Sequence, residues 1–497
     1  MNAPLESQSG LQDSTKSGEW RPVPPPNSVV DSAEEALYEV RRKIYPRSTT
    51  GAFSSWRVWL VVITQVIYYG IPWLQWNDRQ AVLFDLGARK FYIFGLVLWP
   101  QDVIYLAVLL VISAFALFLF TAIAGRLFCG YACPQTVYTE MFMWIERRVE
   151  GDRIARIRLD GDPWSVRKFR LKATKHSLWV LIALWTGFTF IGYFAPIREL
   201  GADILHFAIG PWQAFWMFFY AFATWGNAGF MREQVCKYMC PYARFQSVMV
   251  DRDTYVVTYD AGRGEPRGSR SRKVDHRAEG LGDCVNCSIC VQVCPTGIDI
   301  RDGLQYECIG CGACVDACNQ VMDKMAYPRG LIRYTSENAM RQGLSTSEAR
   351  KRLIRPRTII YSVLWLAVVA GFLGSLAMRE PLKVDIIRDR GALGREVEGR
   401  WIENVYRLQL INTTEASMQF RVSAQSDELS GLVVEYDHAA EELSPTSNRL
   451  LPIRVRVPID DAKQGTHKIS VTVTAEAEGR DASQIKQSTS FIVPRNL

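Results

Sequence analysis

Twelve cysteines are the residues of this sequence best suited to metal or redox chemistry, and all twelve fall in four short motifs. The two longer motifs read CVNCSICVQVCP at 284–295 and CIGCGACVDACN at 308–319. Both have the spacing C-x2-C-x2-C-x3-C, in which thiolates surround an iron–sulfur cubane and the fourth cysteine of each run binds the neighbouring cluster. Zinc sites favour C-x2-C pairs separated by longer loops and need only four ligands, so zinc is the weaker interpretation.

The spacing therefore predicts two [4Fe–4S] clusters with crossed ligand sets. Gly310 and Gly312 lie among the cysteines of the second motif and would let the backbone approach the inorganic sulfurs closely. We expect the first cluster on Cys284, Cys287, Cys290 and Cys318. We expect the second cluster on Cys308, Cys311, Cys314 and Cys294.

The two shorter motifs, FCGYACPQ at 128–135 and VCKYMCPY at 235–242, share the pattern Cys-x-Tyr-x-Cys-Pro, and each follows a long apolar run. Residues i and i+4 lie on one face of a helix, so both sulfurs of a pair could meet one ion. The proline after each pair should open a new helix, through about Arg148 in one case and Val250 in the other. Thiols beside a helix N-terminus are more acidic, so we expect these thiols to be readily available as thiolates.

The duplicated motif would bring four more thiols into one site, those of Cys129, Cys133, Cys236 and Cys240. Three interpretations of this site stay open: a soft-metal or redox thiol site, a third iron–sulfur cluster, or buried structural cysteines. The five histidines do not supply the two facing ligands that membrane-embedded b-type haem usually needs. Of these histidines, His176 is the one that could join the thiols.

Five apolar windows approach the ~20 residues needed to cross a bilayer. They are 56–76, 102–124, 177–196, 211–231 and 358–378. Lysine and arginine are concentrated between the second and third windows, which places the N-terminus and all four cysteine motifs in the cytoplasm and the C-terminus in the periplasm. Cytoplasmic thiols are kept reduced, so a disulfide framework is excluded. The net charge of +7 then mainly reflects the basic residues that keep these segments in the cytoplasm, and a nucleic-acid partner is not expected.

The predicted fold class is a multidomain membrane protein. It combines an α-helical bundle of about five spans, a bacterial-type two-cluster ferredoxin insert of α+β type, and a C-terminal all-β immunoglobulin-like sandwich without a disulfide. The sequence predicts five divisions. Residues 1–50 are a disordered tail with a short amphipathic helix, which Ser32 and Glu35 open, and residues 51–250 are a four-span domain of two helix hairpins. The cytoplasmic ferredoxin domain (251–357), the fifth span (358–378) and the periplasmic sandwich (379–497) follow. Cys133 and Cys240 lie 107 residues apart, which suggests an internal duplication of the two hairpins.

Longer stretches beside the cysteine motifs resemble the cytochrome c oxidase accessory proteins called CcoG, FixG or RdxA. The resemblance runs from about residue 40 to the end, and its sequences include RKIYPR (42–47), RQAVLFDLGARKFYIFG (79–95), GYFAPIREL (192–200), VQVCPTGIDIRDGLQYEC (291–308) and MDKMAYPRGLIRYT (322–335). The resemblance implies a multi-pass protein of the bacterial inner membrane that helps to mature a cbb3-type oxidase. The family is understood to act as a cupric reductase, which implies copper ions, oxidase maturation factors and membrane lipid as partners.

The hypothesis that follows combines the clusters with the four-thiol site. Thiolates favour copper(I) over copper(II), and clusters of this type pass one electron at a time. We expect a cytoplasmic donor protein to reduce the two clusters, and a copper ion at Cys129, Cys133, Cys236 and Cys240 to receive the electron. The sequence shows no flavin or nicotinamide fingerprint, so the donor is expected to be another protein. Two alternatives remain: a quinol-linked membrane ferredoxin with structural thiols, and an assembly scaffold that acts through its outer β domain.

Overall fold

The structure is a computed structural model that describes residues 43–273, 275, 277–344, 346–389, 394–438, 441–477 and 482–494. The amphipathic helix predicted from Ser32, together with most of the predicted tail, lies outside the described residues. The helices are α1 Ala52–Gly70, α2 Val103–Ala124, α3 Leu127–Tyr131, α4 Pro134–Val149, α5 Arg153–Gly161, α6 Val166–Ile191, α7 Ile197–Leu205, α8 Pro211–Gly226, α9 Pro241–Met249, α10 Ala261–Gly264, α11 Ile289–Gln292, α12 Ala313–Met325, α13 Glu337–Arg341, α14 Thr346–Lys351 and α15 Pro356–Ala377.

The strands fall into one group before α2, one pair in the cysteine-rich region and one group after α15. They are β1 Gln75–Trp76, β2 Arg79–Gln80, β3 Val82–Asp85, β4 Lys90–Ile93, β5 Leu96–Leu98, β6 Val256–Tyr259, β7 Ile332–Thr335, β8 Leu382–Arg388, β9 Arg395–Val397, β10 Trp401–Asn412, β11 Met418–Gln425, β12 Val433–Glu435, β13 Glu442–Leu443, β14 Asn448–Pro458, β15 Gly465–Ala477 and β16 Ser483–Val493.

Each of the five apolar windows contains a helix, namely α1, α2, α6, α8 and α15. Within the described residues, two helical stretches are long and apolar enough to cross a membrane, Pro100–Ala124 and Pro356–Ala377. The other three are interrupted by polar residues or are short: α1 carries Arg57, α6 begins with the basic sequence VRKFRLK, and α8 has 16 residues. A bundle of five spans therefore stays a prediction.

The predicted pairing of the first and second spans is wrong, because α2 packs along α15 instead. The Trp365 indole donates to the carbonyl of Ile112 at 3.1 Å, and the Arg355 guanidinium donates to the carbonyl of Ala122 at 3.0 Å. The predicted pairing of the third and fourth spans is confirmed by the extensive contact between α6 and α8.

The first helix is held instead by the cysteine-rich region. The backbone N–H groups of Phe53 and Ser54 donate to the Asp316 carboxylate at 3.3 and 2.8 Å. The first N–H groups of a helix have no partner within the helix, so a carboxylate at this position satisfies them and also meets the positive end of the helix dipole. This contact places the start of α1 against α12.

The cysteine-rich region is a small α+β unit built on the antiparallel pair β6–β7 and the helix α12. Its core joins apolar side chains of β6, β7 and α12 to cysteines of the first long motif. Gly310 and Gly312 adopt φ angles of 63° and 70°, a conformation that strains residues with a side chain. The motif from 308 to 319 therefore turns tightly before α12 begins.

The C-terminal region is a sandwich of two antiparallel sheets, with strand orders β12-β14-β10-β8 and β13-β11-β15-β16. Alternate residues of both sheets form one buried core around Tyr406, Phe420 and Phe491. This confirms the predicted all-β sandwich. Buried charge connects the sandwich to the start of α2, since Asp102 pairs with Lys383 on β8 and, at 2.5 Å, with Arg379 just before β8.

We predict that Gly187→Ala destabilises the α6–α8 pair, because a Cβ at this position would collide with the carbonyl oxygen of Met217 on α8. Overpacking of a well-packed contact costs about 1–3 kcal/mol, so the Tm in detergent should fall. Gly226→Ala at the end of α8 is the matched control, because a Cβ there meets nothing within 4 Å. Thermal unfolding followed by circular dichroism checks both, and an equal Tm for the two variants would contradict the close contact.

Candidate functional site

Two small cavities in the cysteine-rich region are walled by thiols. One is lined by Cys284, Cys287, Cys290 and Cys318. The other is lined by Cys294, Cys308, Cys311 and Cys314, with Cys290 at the boundary between the two. The structure thus places the fourth cysteine of each motif in the cavity of the other motif, which is the grouping expected from the spacing. Ligation of iron by these eight residues stays a prediction.

The residues around both cavities fit an iron–sulfur cluster. Apolar side chains such as Ile300 in one cavity and Leu331 in the other complete the walls. Burial raises the pKa of Cys308 and of Cys318 to about 12, so these thiols keep their protons at neutral pH until a bound metal displaces them. Among the described residues, no group of three or more histidine, cysteine or carboxylate side chains is arranged to hold a single metal ion. This holds for the residues of the two cavities and for Cys129, Cys133, Cys236 and Cys240 alike. Four thiols and apolar walls around each cavity fit a multi-iron group.

The four remaining thiols come from two segments of unlike backbone. Cys129 lies in the short helix α3, and Cys133 directly precedes α4. Cys236 lies in a π-helical segment, Val235–Met239, and Cys240 directly precedes α9. Pro134 and Pro241 open α4 and α9, which end within one residue of the predicted positions.

These four thiols lie near enough to one another for the charge of one to shift the pKa of another. Burial raises the pKa of Cys129 to about 12 and that of Cys236 to about 11, and in both cases the charge of Cys133 raises it further. Burial also raises the pKa of Cys133, to which the charge of Cys240 adds. The expectation of acidic thiols is therefore wrong for Cys129, Cys133 and Cys236, because the loss of solvation outweighs the effect of the helix N-termini.

Two polar residues lie beside the thiols, and the sequence pattern did not indicate either of them as part of the site. Gln246 is fully buried and accepts a hydrogen bond from the Cys129 thiol at 3.3 Å, while its Nε2 has no partner among the described residues. Arg126 is 9% exposed, and its positive charge lowers the pKa of Cys129, Cys236 and Cys308, opposing the larger effect of burial. The sequence feature that could have indicated Gln246 is its position four residues after Tyr242, which places both side chains on one face of α9.

The four-thiol site lies directly against the second cluster cavity. A Cβ on Gly130 would stand 2.8 Å from the carbonyl oxygen of Ile309 and 3.0 Å from the Cα of Cys311. The Tyr131 hydroxyl donates to the carbonyl of Cys311 at 3.2 Å. Cys129 packs on the apolar cluster that contains Ile309 and Cys311. The backbone of the first thiol motif is therefore in contact with the loop that carries the predicted cluster ligands Cys308 and Cys311.

The structure does not bring His176 to the thiols. Its ring stacks on Phe230 with ring centroids 5.8 Å apart and meets Trp179 edge-on at 5.1 Å. The ring contacts of His176 are thus with aromatic side chains of α6, of α8 and of the segment after α8. His176 belongs to the packing of these elements rather than to a ligand set.

Comparison with known proteins finds two iron–sulfur families and one immunoglobulin-like family. Residues 231–337 match a 4Fe-4S dicluster domain, and residues 106–151, which contain only Cys129 and Cys133, match a 4Fe-4S binding domain. Residues 372–494 match an IG-like fold found at the C-terminus of FixG. Both thiol motifs therefore lie within stretches that match iron–sulfur families.

Full-length relatives cover most of the chain. Protein RdxB of Cereibacter sphaeroides is 40% identical over 435 residues, which are 86% of this chain and 91% of RdxB. Protein RdxA of the same organism is 38% identical over 455 residues, 86% of this chain and 95% of RdxA. Nitrogen fixation protein FixG of Rhizobium meliloti is 41% identical over 407 residues, 76% of this chain and 78% of FixG.

The crossed ligand sets predict how paired cysteine substitutions combine. The pair Cys287→Ser and Cys318→Ser should remove one cluster, because both residues line the same cavity. The pair Cys287→Ser and Cys294→Ser should remove both clusters, because the two residues line different cavities. Iron content and the EPR signal of anaerobically purified protein check this. Equal iron loss in the two double variants would contradict the grouping.

Proposed function

Because this chain belongs to the family of RdxA, RdxB and FixG and carries iron–sulfur domains for electron transfer, we propose that it reduces copper(II) to copper(I) for the assembly of a cbb3-type cytochrome c oxidase. Copper is the substrate in this proposal. The thiols of Cys129, Cys133, Cys236 and Cys240 bind it, and the copper(I) product passes to oxidase maturation factors.

The contact at Gly130 is the observation that carries the proposal. Bound clusters supply single electrons, and the reduction of copper(II) to copper(I) takes one electron. Gly130 allows the thiol motif to touch the Ile309–Cys311 loop, so an ion at Cys129 lies beside the ligands of the second cluster. In this proposal, the backbone contact between the two motifs keeps donor and acceptor close together.

The surroundings of the thiols favour the reduced ion. Soft thiolate ligands select copper(I), which makes copper(II) at this site easier to reduce. The raised pKa values of Cys129 and Cys236 mean that copper binding displaces protons from these thiols, so affinity rises with pH. Several thiolates on one copper(I) ion leave a net negative charge, which the buried Arg126 guanidinium partly offsets.

The proposed location is the bacterial inner membrane, with the cysteine-rich unit in the cytoplasm and the sandwich in the periplasm. Support comes from the apolar side chains that α2 and α15 expose along their length, including Val103, Leu110, Val363 and Leu364, each more than half exposed. An exposed apolar surface of this extent needs a nonpolar solvent. The electron donor in this arrangement is a cytoplasmic protein.

A third iron–sulfur cluster on the same four thiols is the second candidate. It is favoured by the match of residues 106–151 to a 4Fe-4S binding domain, since this stretch contains only Cys129 and Cys133. In that case copper would be reduced elsewhere or not at all. The iron content of the protein separates the candidates, because copper binding predicts iron for two clusters and the alternative predicts iron for three.

The copper proposal predicts that dithionite-reduced protein converts copper(II) to copper(I), measured anaerobically with a copper(I)-specific chelator. Changing Cys129, Cys133, Cys236 and Cys240 to Ser should reduce the rate to the background measured without protein. A milder variant with only Cys236→Ser and Cys240→Ser leaves the packing of Cys129 on Ile309 intact and should also lose most of the activity.

Both thiol variants must retain the iron of two clusters, which EPR and iron analysis establish. Copper reduction at the wild-type rate with clusters intact would overturn the assignment of the thiols. Loss of iron equivalent to one cluster in the variants would favour the third-cluster alternative. Quinone reduction by the purified protein would favour the quinol-linked alternative.

Gly130→Ala should slow copper(II) reduction without removing a thiol. The new Cβ must push the first thiol motif away from Ile309 and Cys311. The displacement lengthens the distance between the second cluster and an ion at Cys129, so we expect electron transfer, and with it the rate of copper(II) reduction, to fall. Gly161→Ala is the matched control, because a Cβ there meets nothing within 4 Å. Equal rates in the two variants would show that the contact does not serve electron transfer.

A further inference from the structure

A cavity of 400 Å³ opens between the segment 46–50, the first turns of α1 and the helix α4. It is distinct from the thiol site, since no cysteine lines it. Its charged lining consists of Arg47, Arg57 and Arg147 against one carboxylate, that of Glu140. The cavity therefore carries an excess of positive charge.

Several donors in this cavity have no partner within the described residues. Arg57 is 7% exposed, and its guanidinium meets Glu140 at 3.4 Å, yet its Nε–H makes no hydrogen bond. The buried hydroxyl of Thr49 is likewise unpaired. Arg47 is exposed at the rim, and its guanidinium forms no ion pair with any described residue. The charge of Arg57 is balanced by Glu140, but a buried N–H or hydroxyl group without an acceptor is costly, so the Arg57 Nε–H and the Thr49 hydroxyl point to a missing acceptor.

The apolar wall of the cavity indicates that the ligand also has an apolar part. Val58 and Trp59 line its wall and are 51% and 61% exposed on the outer face of α1. The same face continues to Val62 and Val66, which are 46% and 66% exposed. A ligand with an anionic head among the arginines can thus extend a long apolar tail along α1.

We propose that this cavity binds the phosphate group of an anionic phospholipid, with the acyl chains along the exposed face of α1. Guanidinium groups match the geometry and charge of phosphate oxygens, and hydroxyl groups complete their hydrogen bonds. A neutral head group would leave the positive excess without a counter-ion. The proposal does not depend on copper reduction.

The bound lipid would also touch the cysteine-rich unit. Val293 and Pro295, which flank Cys294, form part of the cavity wall. The head group would therefore bridge α1, α4 and the loop that carries a predicted ligand of the second cluster. The lipid holds this unit against the membrane surface at the place where the thiol site and the cluster cavity meet.

Delipidated full-length protein in detergent tests the proposal by native mass spectrometry. Phosphatidylglycerol is the anionic probe, phosphatidylcholine is the probe without net charge, and inorganic phosphate is the probe for a free ion. We expect wild-type protein to retain phosphatidylglycerol selectively. Arg47→Gln with Arg147→Gln should weaken this binding by about tenfold or more, since each lost charge-assisted contact is worth roughly that factor.

Arg167→Gln with Arg170→Gln is the matched control, because these two arginines are exposed at the start of α6 and lie outside the cavity lining. Arg147 also pairs with Glu140 at 3.0 Å, so Arg47→Gln alone is the second variant, which leaves that ion pair intact. It should keep the wild-type iron content and circular dichroism while binding phosphatidylglycerol more weakly.

Equal loss of phosphatidylglycerol in the cavity and control variants would overturn the site. Equal binding of the two lipids by wild-type protein would also overturn it. Saturation by inorganic phosphate that excludes phosphatidylglycerol would assign the cavity to a free anion and overturn the lipid as its source.

Discussion

The contact of Gly130 with the Ile309–Cys311 loop is the constraint on which the functional arrangement depends. Residues about 180 positions apart in the chain meet here through their backbones, and the hydrogen bond from Tyr131 to Cys311 fixes their relative position. A side chain at position 130 would separate the two segments. The thiol site and the second cluster cavity are therefore one structural unit, although the sequence places them in different predicted domains.

A buried layer of charge holds the two thiol motifs together. Glu146 on α4 pairs with Arg232, which precedes the second motif, at 2.8 Å, and with Arg156 on α5 at 3.0 Å. Glu150 pairs with Lys175 on α6 at 2.9 Å. Buried ion pairs add little net stability, but breaking one costs about 3–5 kcal/mol, so their effect is to fix the position of α4 relative to its neighbours. Several basic residues that were used to predict the membrane topology are thus buried and form ion pairs with α4 and the residue that follows it.

Features set by local pattern were predictable from the sequence, and features set by tertiary contact were not. The crossed grouping of Cys294 and Cys318 follows from spacing, and the sandwich follows from alternating residues in its strands. Hydropathy marks apolar segments but does not identify their neighbours, which explains the error in pairing α2 with α1. The prediction of acidic thiols was wrong because the pKa of a thiol depends on its burial, which the sequence does not show. The position of Arg126 beside the thiols could not be predicted, because a single arginine forms no sequence pattern.

The duplicated motifs differ in structure, and this difference bears on how the thiol site could accept an ion. Tyr131 of the first motif is 7% exposed and bonded to the cluster loop, whereas Tyr238 at the equivalent position of the second is 49% exposed. The second motif lies in a π-helical segment, and its Lys237 pairs with Glu307, which precedes the same loop, at 3.5 Å. Such π-helical segments are rare and occur frequently at functional sites. The first thiol pair is therefore bonded through Tyr131 to the cluster loop, while the second pair lies in a segment of different backbone. If copper is the substrate, two thiol pairs of different backbone suit an ion that must be bound as copper(II) and released as copper(I).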